Sequence, residues 1–290
     1  MRLSEALRAA IQRLSSDQVP SPRMNAELLL MFTLQCDRAY LYGHRERELS
    51  DEEHSLYDEA LTQRAQGVPA QYITGHQEFW GMDFLVSPSV LIPRPETEHV
   101  VERVLEVLSD WRGDQKPPKN TFPRPRLVDV GTGSGCLALA LAKELPQVEI
   151  HATDISAEAL EVARANAARL NLQARAVFHQ TDLLAGIEPP FDVVVSNPPY
   201  VGLAEEDQVQ LEVRRFEPRI AVFAGESGLE TIARLVPQAY AVLKPNGWLV
   251  LEMSGTIAER AQTLLDGWPN LQVMPDLQGI PRVLSAQRPS

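Results

Sequence analysis

From residue 127 onward the chain alternates short apolar runs with helical patterns, and that alternation leaves few folds open. LVDV at 127–130, VEIHATD at 148–154, RAVFHQ at 175–180, FDVVVS at 191–196 and GWLVLEM at 247–253 read as strands that are largely apolar on both faces. Helical stretches separate them: one from a glycine turn to residue 145, one over 156–170, one over roughly 228–243 and another after 253. Two more strands near 271–275 and 282–287 bring the total to seven. Strands covered on both faces and joined through helices predict an α/β fold, a doubly wound and mostly parallel seven-stranded sheet.

Residues 1–73 differ, because they read as helices only. Leu3, Ala6, Leu7, Ala10, Ile11 and Leu14 recur at helical spacing. Ser21-Pro22 opens a second helix, and Ser50 with Glu53 forms a capping box for a third that stops at Gly67, with Pro69 just beyond. Three or four such helices make a small bundle. QYITGHQEFWGMDFLVSPSVLI at 71–92 changes character, and its aromatic and β-branched residues around Gly81 read as a hairpin joining two domains. The expected organisation is a helical domain over 1–73, a joint over 74–92 and a catalytic domain over 93–290. PRPETE at 93–98 opens a helix of the latter, and SDWRGDQKPPKNTFPRPR at 109–126, with four prolines and no period, reads as a surface loop.

The first strand of the sheet runs into GTGSG, with glycines at 131, 133 and 135 and with Thr132 and Ser134 between them. Such a turn lets the backbone pass close to a ligand, and the helix after it offers free N–H groups. Asp154 ends the second strand, where an acid can accept both hydroxyls of a ribose. A dinucleotide fingerprint wants a glycine where Cys136 stands, whereas S-adenosylmethionine, which has no pyrophosphate, suits the shorter spacing. Asp129 either braces the glycine loop by accepting backbone N–H groups or caps the turn. Asp182 and Leu183, after the third strand, either meet an adenine (a carboxylate for its amine, an apolar wall for its ring) or form an ordinary turn.

Asn197-Pro198-Pro199-Tyr200 sits at the carboxyl end of the fourth strand. Two prolines forbid further ladder pairing and lock the backbone at the edge where such sheets bind ligands. The Asn197 side-chain carbonyl and the Pro198 carbonyl can accept both hydrogens of an –NH₂ group. A planar amide or aryl amine is a weak nucleophile. Two acceptors orient its nitrogen towards a methyl sulfonium, and transfer then depends on proximity and alignment. Tyr200 offers an apolar face to the planar group.

Charge separates the amines such a site could serve. Lys and Arg number 27 and Asp and Glu 39, for a formal net charge of -12. That balance argues against phosphate-driven nucleic-acid binding, which needs clustered cations. Two cysteines, Cys36 and Cys136, give no disulfide framework and suit a reducing cytosol. The six histidines show no metal-ligand spacing, so no metal is expected. The N-terminus has charges among its apolar residues, unlike a signal peptide, and no run is long enough to span a membrane; cytoplasm is the expected location.

TGHQEFWGMDFLVSPSVLIPRPETE (74–98), LVDVGTGSGCLALALA (127–142), ATD (152–154), VVSNPPYV (194–201), RFEP (215–218) and LKPNGWLVLE (243–252) together resemble the bacterial release-factor glutamine methyltransferases, the PrmC/HemK group. The resemblance covers nearly the whole chain, and LIPRPETE discriminates best, because Asn-Pro-Pro-Tyr is shared with DNA and RNA adenine methyltransferases. It implies the S-adenosylmethionine-dependent methyltransferase fold and methylation of the side-chain amide of the glutamine in the Gly-Gly-Gln loop of class I peptide chain release factors. It implies S-adenosylmethionine held by Gly131, Thr132, Gly133, Ser134, Gly135 and Asp154, with Asp182, Leu183 and Asn197 alongside, and S-adenosylhomocysteine as product. It implies the acceptor amide held by Asn197 and Pro198, with Pro199 and Tyr200 beside it and Arg94, Glu96 and Thr97 as candidate walls. Some relatives have tryptophan where Leu183 stands. The N-terminal helices would grip the release factor or act as a plain structural cap, and a monomer is the expected state. The alternatives are a glutamine methyltransferase of a ribosomal protein and an adenine-amine methyltransferase acting on DNA or RNA.

Overall fold

A computed structural model describes residues 1–109 and 124–290. All but the ends of the proline-rich loop expected at 109–126 lies outside the described residues. The chain divides into two compact units, Met1–His76 with Gln210–Phe216, and Gln77–Val209 with Glu217–Ser290.

The first unit contains α1 (Leu3–Ser16), α2 (Pro22–Leu34), α3 (Arg38–Gly43), α4 (Asp51–Ala65) and α5 (Ala70–Thr74). The capping box expected at Ser50 forms: its hydroxyl accepts from the Glu53 N–H, and Glu53 accepts from the Ser50 N–H. Leu14, Leu29 and Leu30 are fully buried in this unit's core. Two short helices escaped the sequence reading. Asp37 caps α3 through the Tyr40 N–H, and QYIT at 71–74, expected in the hairpin, forms α5. Six or fewer residues show too little of a 3.6-residue period to be recognised.

The hairpin itself is present as β1 (His76–Phe79) and β2 (Met82–Leu85). Trp80 and Gly81 both take positive φ, 53° and 64°, the turn that matches the strands' twist. Phe79, Met82 and Phe84 are buried in the core of the second unit.

That unit continues through α6 (Glu98–Val107), β3 (Arg126–Val130), α7 (Cys136–Glu144), β4 (Glu149–Asp154), α8 (Ala157–Arg169), β5 (Ala176–Gln180) and β6 (Phe191–Ser196). After two short helices, α9 (Leu211–Phe216, assigned to the first unit) and α10 (Arg219–Val222), come α11 (Glu230–Val242), β7 (Leu243–Glu252), α12 (Ala258–Thr263), β8 (Gln272–Pro275) and β9 (Pro281–Gln287). The seven-stranded sheet has the order β5-β4-β3-β6-β7-β9-β8. All pairs from β5 to β7 are parallel, and β9 inserts antiparallel between β7 and β8. Apolar side chains of α6 and α7 fill one face, and those of α11 and α12 the other. The chain leaves β3 for β4 on one side and returns to β6 on the other. The carboxyl end of β3 is therefore a switch point, where a crevice opens. No helix among the described residues is long and apolar enough to cross a membrane.

Candidate active site

A cavity of about 330 Å³ lies at that switch point, within the range of small-ligand sites. Its walls include Gly131, Thr132, Gly133 and Ser134 from the glycine turn, Asp154 beyond β4, Asp182 and Leu183 beyond β5, and Asn197 and Pro199 beyond β6. Loops after four neighbouring strands thus bring most of the expected residues together.

The glycine turn is held from below. The Thr153 carbonyl accepts from both Gly131 and Thr132 N–H at 2.9 Å. Gly131 and Gly133 take φ of 72° and 56°, and a β-carbon on either would meet nothing within 4 Å. Open space therefore lies over both. Gly135 is different: a β-carbon there would stand 3.2 Å from that of Ala163. Its lack of a side chain lets α8 approach the glycine turn.

Asp154 is already employed. Its Oδ2 accepts from the Gly133 N–H and its Oδ1 from the Ser156 N–H, both at 2.9 Å. The carboxylate thus ties the glycine turn to the start of α8, and each oxygen keeps a lone pair for a ligand hydroxyl. Asp129, fully buried, accepts the Thr132 hydroxyl at 2.6 Å and the Ala138 N–H at 3.2 Å. It braces the loop through the Thr132 hydroxyl and ties it to α7 through the Ala138 N–H, in place of the loop N–H groups expected. Its other oxygen has no partner, and burial pushes its carboxyl up to about 7. Cys136 also lines the cavity, and burial pushes its thiol up to about 12, which disfavours the thiolate that a nucleophile needs. Asp182 pairs with Arg234, a cavity residue that the sequence did not single out.

Across the cavity, Asn197 Nδ2 donates to Thr97 Oγ1 at 3.1 Å, and Thr97 donates to Glu252 Oε2 at 2.6 Å. Tyr200 donates its hydroxyl to Glu252 Oε1 at 3.0 Å. Glu252 is only 1% exposed, and burial raises its carboxyl above the usual range. Thr97 is equally buried and still reaches the cavity wall. Pro198 and Tyr200 flank the lining residue Pro199, and Arg94 and Glu96 stand near the lining residues Pro93 and Thr97. Arg94 forms an ion pair with buried Glu217, which also accepts the Ile92 N–H.

Sequence reasoning missed Glu252, Glu217 and Arg234. A signal existed for the first, since Glu252 is the one charged residue closing the apolar run WLVLE at the ligand-binding edge of the sheet. It also missed Gly228, whose φ is 80° and whose absent β-carbon would stand 2.5 Å from the Tyr200 carbonyl oxygen.

Residues 5–75 match the PrmC N-terminal domain, and residues 118–215 the methyltransferase small domain. The chain is 38% identical over 273 residues to the release factor glutamine methyltransferase of Rhodopirellula baltica, covering 92% of this chain and 90% of that protein. A solved structure of the hMettl16 catalytic domain, in complex with a 3′UTR hairpin, superposes with a TM-score of 0.58 at 15% identity, over 80% of this chain and 82% of that one. That likeness speaks for the fold alone. The chain is also 52% identical over 292 residues to the release factor glutamine methyltransferase of Koribacter versatilis, with 100% of both chains covered, and it belongs to the release factor glutamine methyltransferase family.

Proposed function

We propose that this protein transfers the methyl group of S-adenosylmethionine to the side-chain amide nitrogen of the glutamine in the Gly-Gly-Gln loop of class I peptide chain release factors. The observation that carries the reading is the amide of Asn197: its nitrogen is engaged by Thr97, and its oxygen, without a partner among the described residues, belongs to a residue of the cavity wall.

The residues fit the methyl donor. Open space over Gly131 and Gly133 admits a ligand against the backbone, and Asp154 retains acceptor capacity for ribose hydroxyls. Asp182, although paired with Arg234, keeps lone pairs for an adenine amine beside the apolar Leu183. When bound, S-adenosylmethionine supplies an electrophilic methyl on its sulfonium. Asn197 Oδ1 and the Pro198 carbonyl accept the two amide hydrogens of the glutamine and hold its nitrogen in line. Pro198 and Pro199 lock the backbone that carries these acceptors. No base is needed beforehand, because the nitrogen becomes acidic as the N–C bond forms, and its proton then leaves to solvent. The acidic chain favours a protein amide over a base in a polyanion. The N-terminal helical unit grips the factor away from the reacting loop.

The test is transfer from labelled S-adenosylmethionine to an intact release factor, to the same factor with its loop glutamine changed to alanine, and to duplex DNA. Label is expected in the first alone. Equal label in the alanine factor, or label in DNA, would overturn the reading.

A further inference from the structure

Thr97 and Glu252 come from the start of the α6 region and from the end of β7, and neither stands in the Asn-Pro-Pro-Tyr motif. Both are about 99% buried, and both sit in one chain of hydrogen bonds running Asn197 Nδ2 to Thr97 Oγ1 to Glu252 Oε2. The direction of that chain is set by proton supply. A hydroxyl has one proton to give, and an ionised carboxylate can only accept. Thr97 must therefore spend its proton on Glu252, and towards Asn197 it has only lone pairs. The asparagine amide can satisfy those lone pairs only with its –NH₂ group, which leaves its oxygen as the free acceptor.

From this we infer that Glu252 and Thr97 are positioning residues that fix which way round the Asn197 amide stands. The inference rests on the proposed amide-methylation reading and deepens it. A side-chain amide has two nearly isosteric ends, and only one of them can accept an N–H from the glutamine. Were the amide reversed, its –NH₂ would face the substrate –NH₂ and productive alignment would be lost. Tyr200 also donates to Glu252, through Oε1, so the carboxylate is held from two sides and cannot turn away from Thr97. Glu96, Arg282, Tyr200 and Cys136 are the ionisable groups that act on it or on which it acts among the described residues.

Thr97→Val, Thr97→Ser and Glu252→Gln, each as the full chain, test the inference. Thr97→Val keeps the shape and removes the acceptor. Its kcat on the release factor should fall at least about tenfold, as expected for a misaligned reacting group. Its KM for the factor and its Kd for S-adenosylmethionine should stay within about twofold, and Thr97→Ser should restore kcat to within about threefold. Glu252→Gln should lower kcat and remove the acid limb of the pH–kcat profile, since a glutamine cannot be switched by protonation. A folded Thr97→Val enzyme with wild-type kcat would overturn the inference while leaving the proposed reaction intact. Should Thr97→Val not fold, a Glu252→Gln enzyme with wild-type kcat and an unchanged acid limb would overturn it. A wild-type enzyme that labels no release factor would instead defeat the underlying reading.

Discussion

Ser196 donates its hydroxyl to the carbonyl of Val130 at 2.6 Å, joining the last residue of β6 to the last of β3. The two are also register partners in the parallel pair. The next residues along the chain are Asn197 and Gly131, so one buried bond sets how the acceptor side of the cavity stands to the glycine turn. Ser196→Ala should cost about 1–2 kcal/mol of unfolding free energy, the usual loss when a buried acceptor is orphaned. Its kcat should fall by more than its Kd for S-adenosylmethionine rises, as calorimetry and steady-state kinetics would show. Equal losses in both would assign the bond a purely structural role.

Gly228 faces the Tyr200 carbonyl so closely that any side chain must displace one of them. Its positive φ adds strain for any other residue. Gly228→Ala should therefore reduce kcat at least about tenfold, because the segment that moves carries the acceptors. S-adenosylmethionine affinity, measured by calorimetry, should change far less, since the glycine turn hangs from Thr153.

Asp154 should tolerate no amide. Its two oxygens each accept a backbone N–H. An asparagine would turn its –NH₂ against one of those donors and leave one accepting atom for two N–H groups. Asp154→Asn should weaken S-adenosylmethionine binding about tenfold or more, by the loss of charge-assisted bonds of about 1.5–3 kcal/mol. Isothermal titration of the free protein gives that value directly.

Much of this arrangement is legible in the sequence. The strand pattern, the glycine turn and the Asn-Pro-Pro-Tyr edge are local signals, written in consecutive residues, and the structure brings most of them to one cavity. What escaped is long-range. Asn197 and Thr97 are 100 positions apart, and Thr97 and Glu252 are separated by 155. No spacing rule links such residues: the pairing of β6 with β7 brings Asn197 beside Glu252, and the packing of α6 on β7 brings Thr97 to both. The resemblance makes Arg94 a candidate wall, and no local pattern announces its ion pair with buried Glu217, 123 positions away. The antiparallel entry of β9 between β7 and β8 is likewise a matter of topology and not of local pattern.

Asp129 gives the fold a pH dependence of known sign. Burial raises its carboxyl from 3.8 to about 7 in the folded chain. The folded protein therefore binds this proton more tightly than the unfolded one. Its stabilising contribution is complete below about 4 and is lost as pH rises towards about 7, with no further change above. Asp129→Asn should remove that slope, and melting temperatures followed across this window would show a flatter profile than wild type. An identical slope in the variant would contradict the assignment.

The central claim is that Asn197 holds a glutamine amide for methylation, and the position of the transferred methyl tests it most directly. Release factor treated with S-adenosylmethionine and the wild-type enzyme, then digested and sequenced by mass spectrometry, should carry one methyl on the side chain of the loop glutamine. With Asn197→Ala, transfer should fall by at least about a hundredfold, while S-adenosylmethionine affinity stays within about threefold. A methyl found on any other residue, or near-normal methylation by the Asn197→Ala enzyme, would contradict the account.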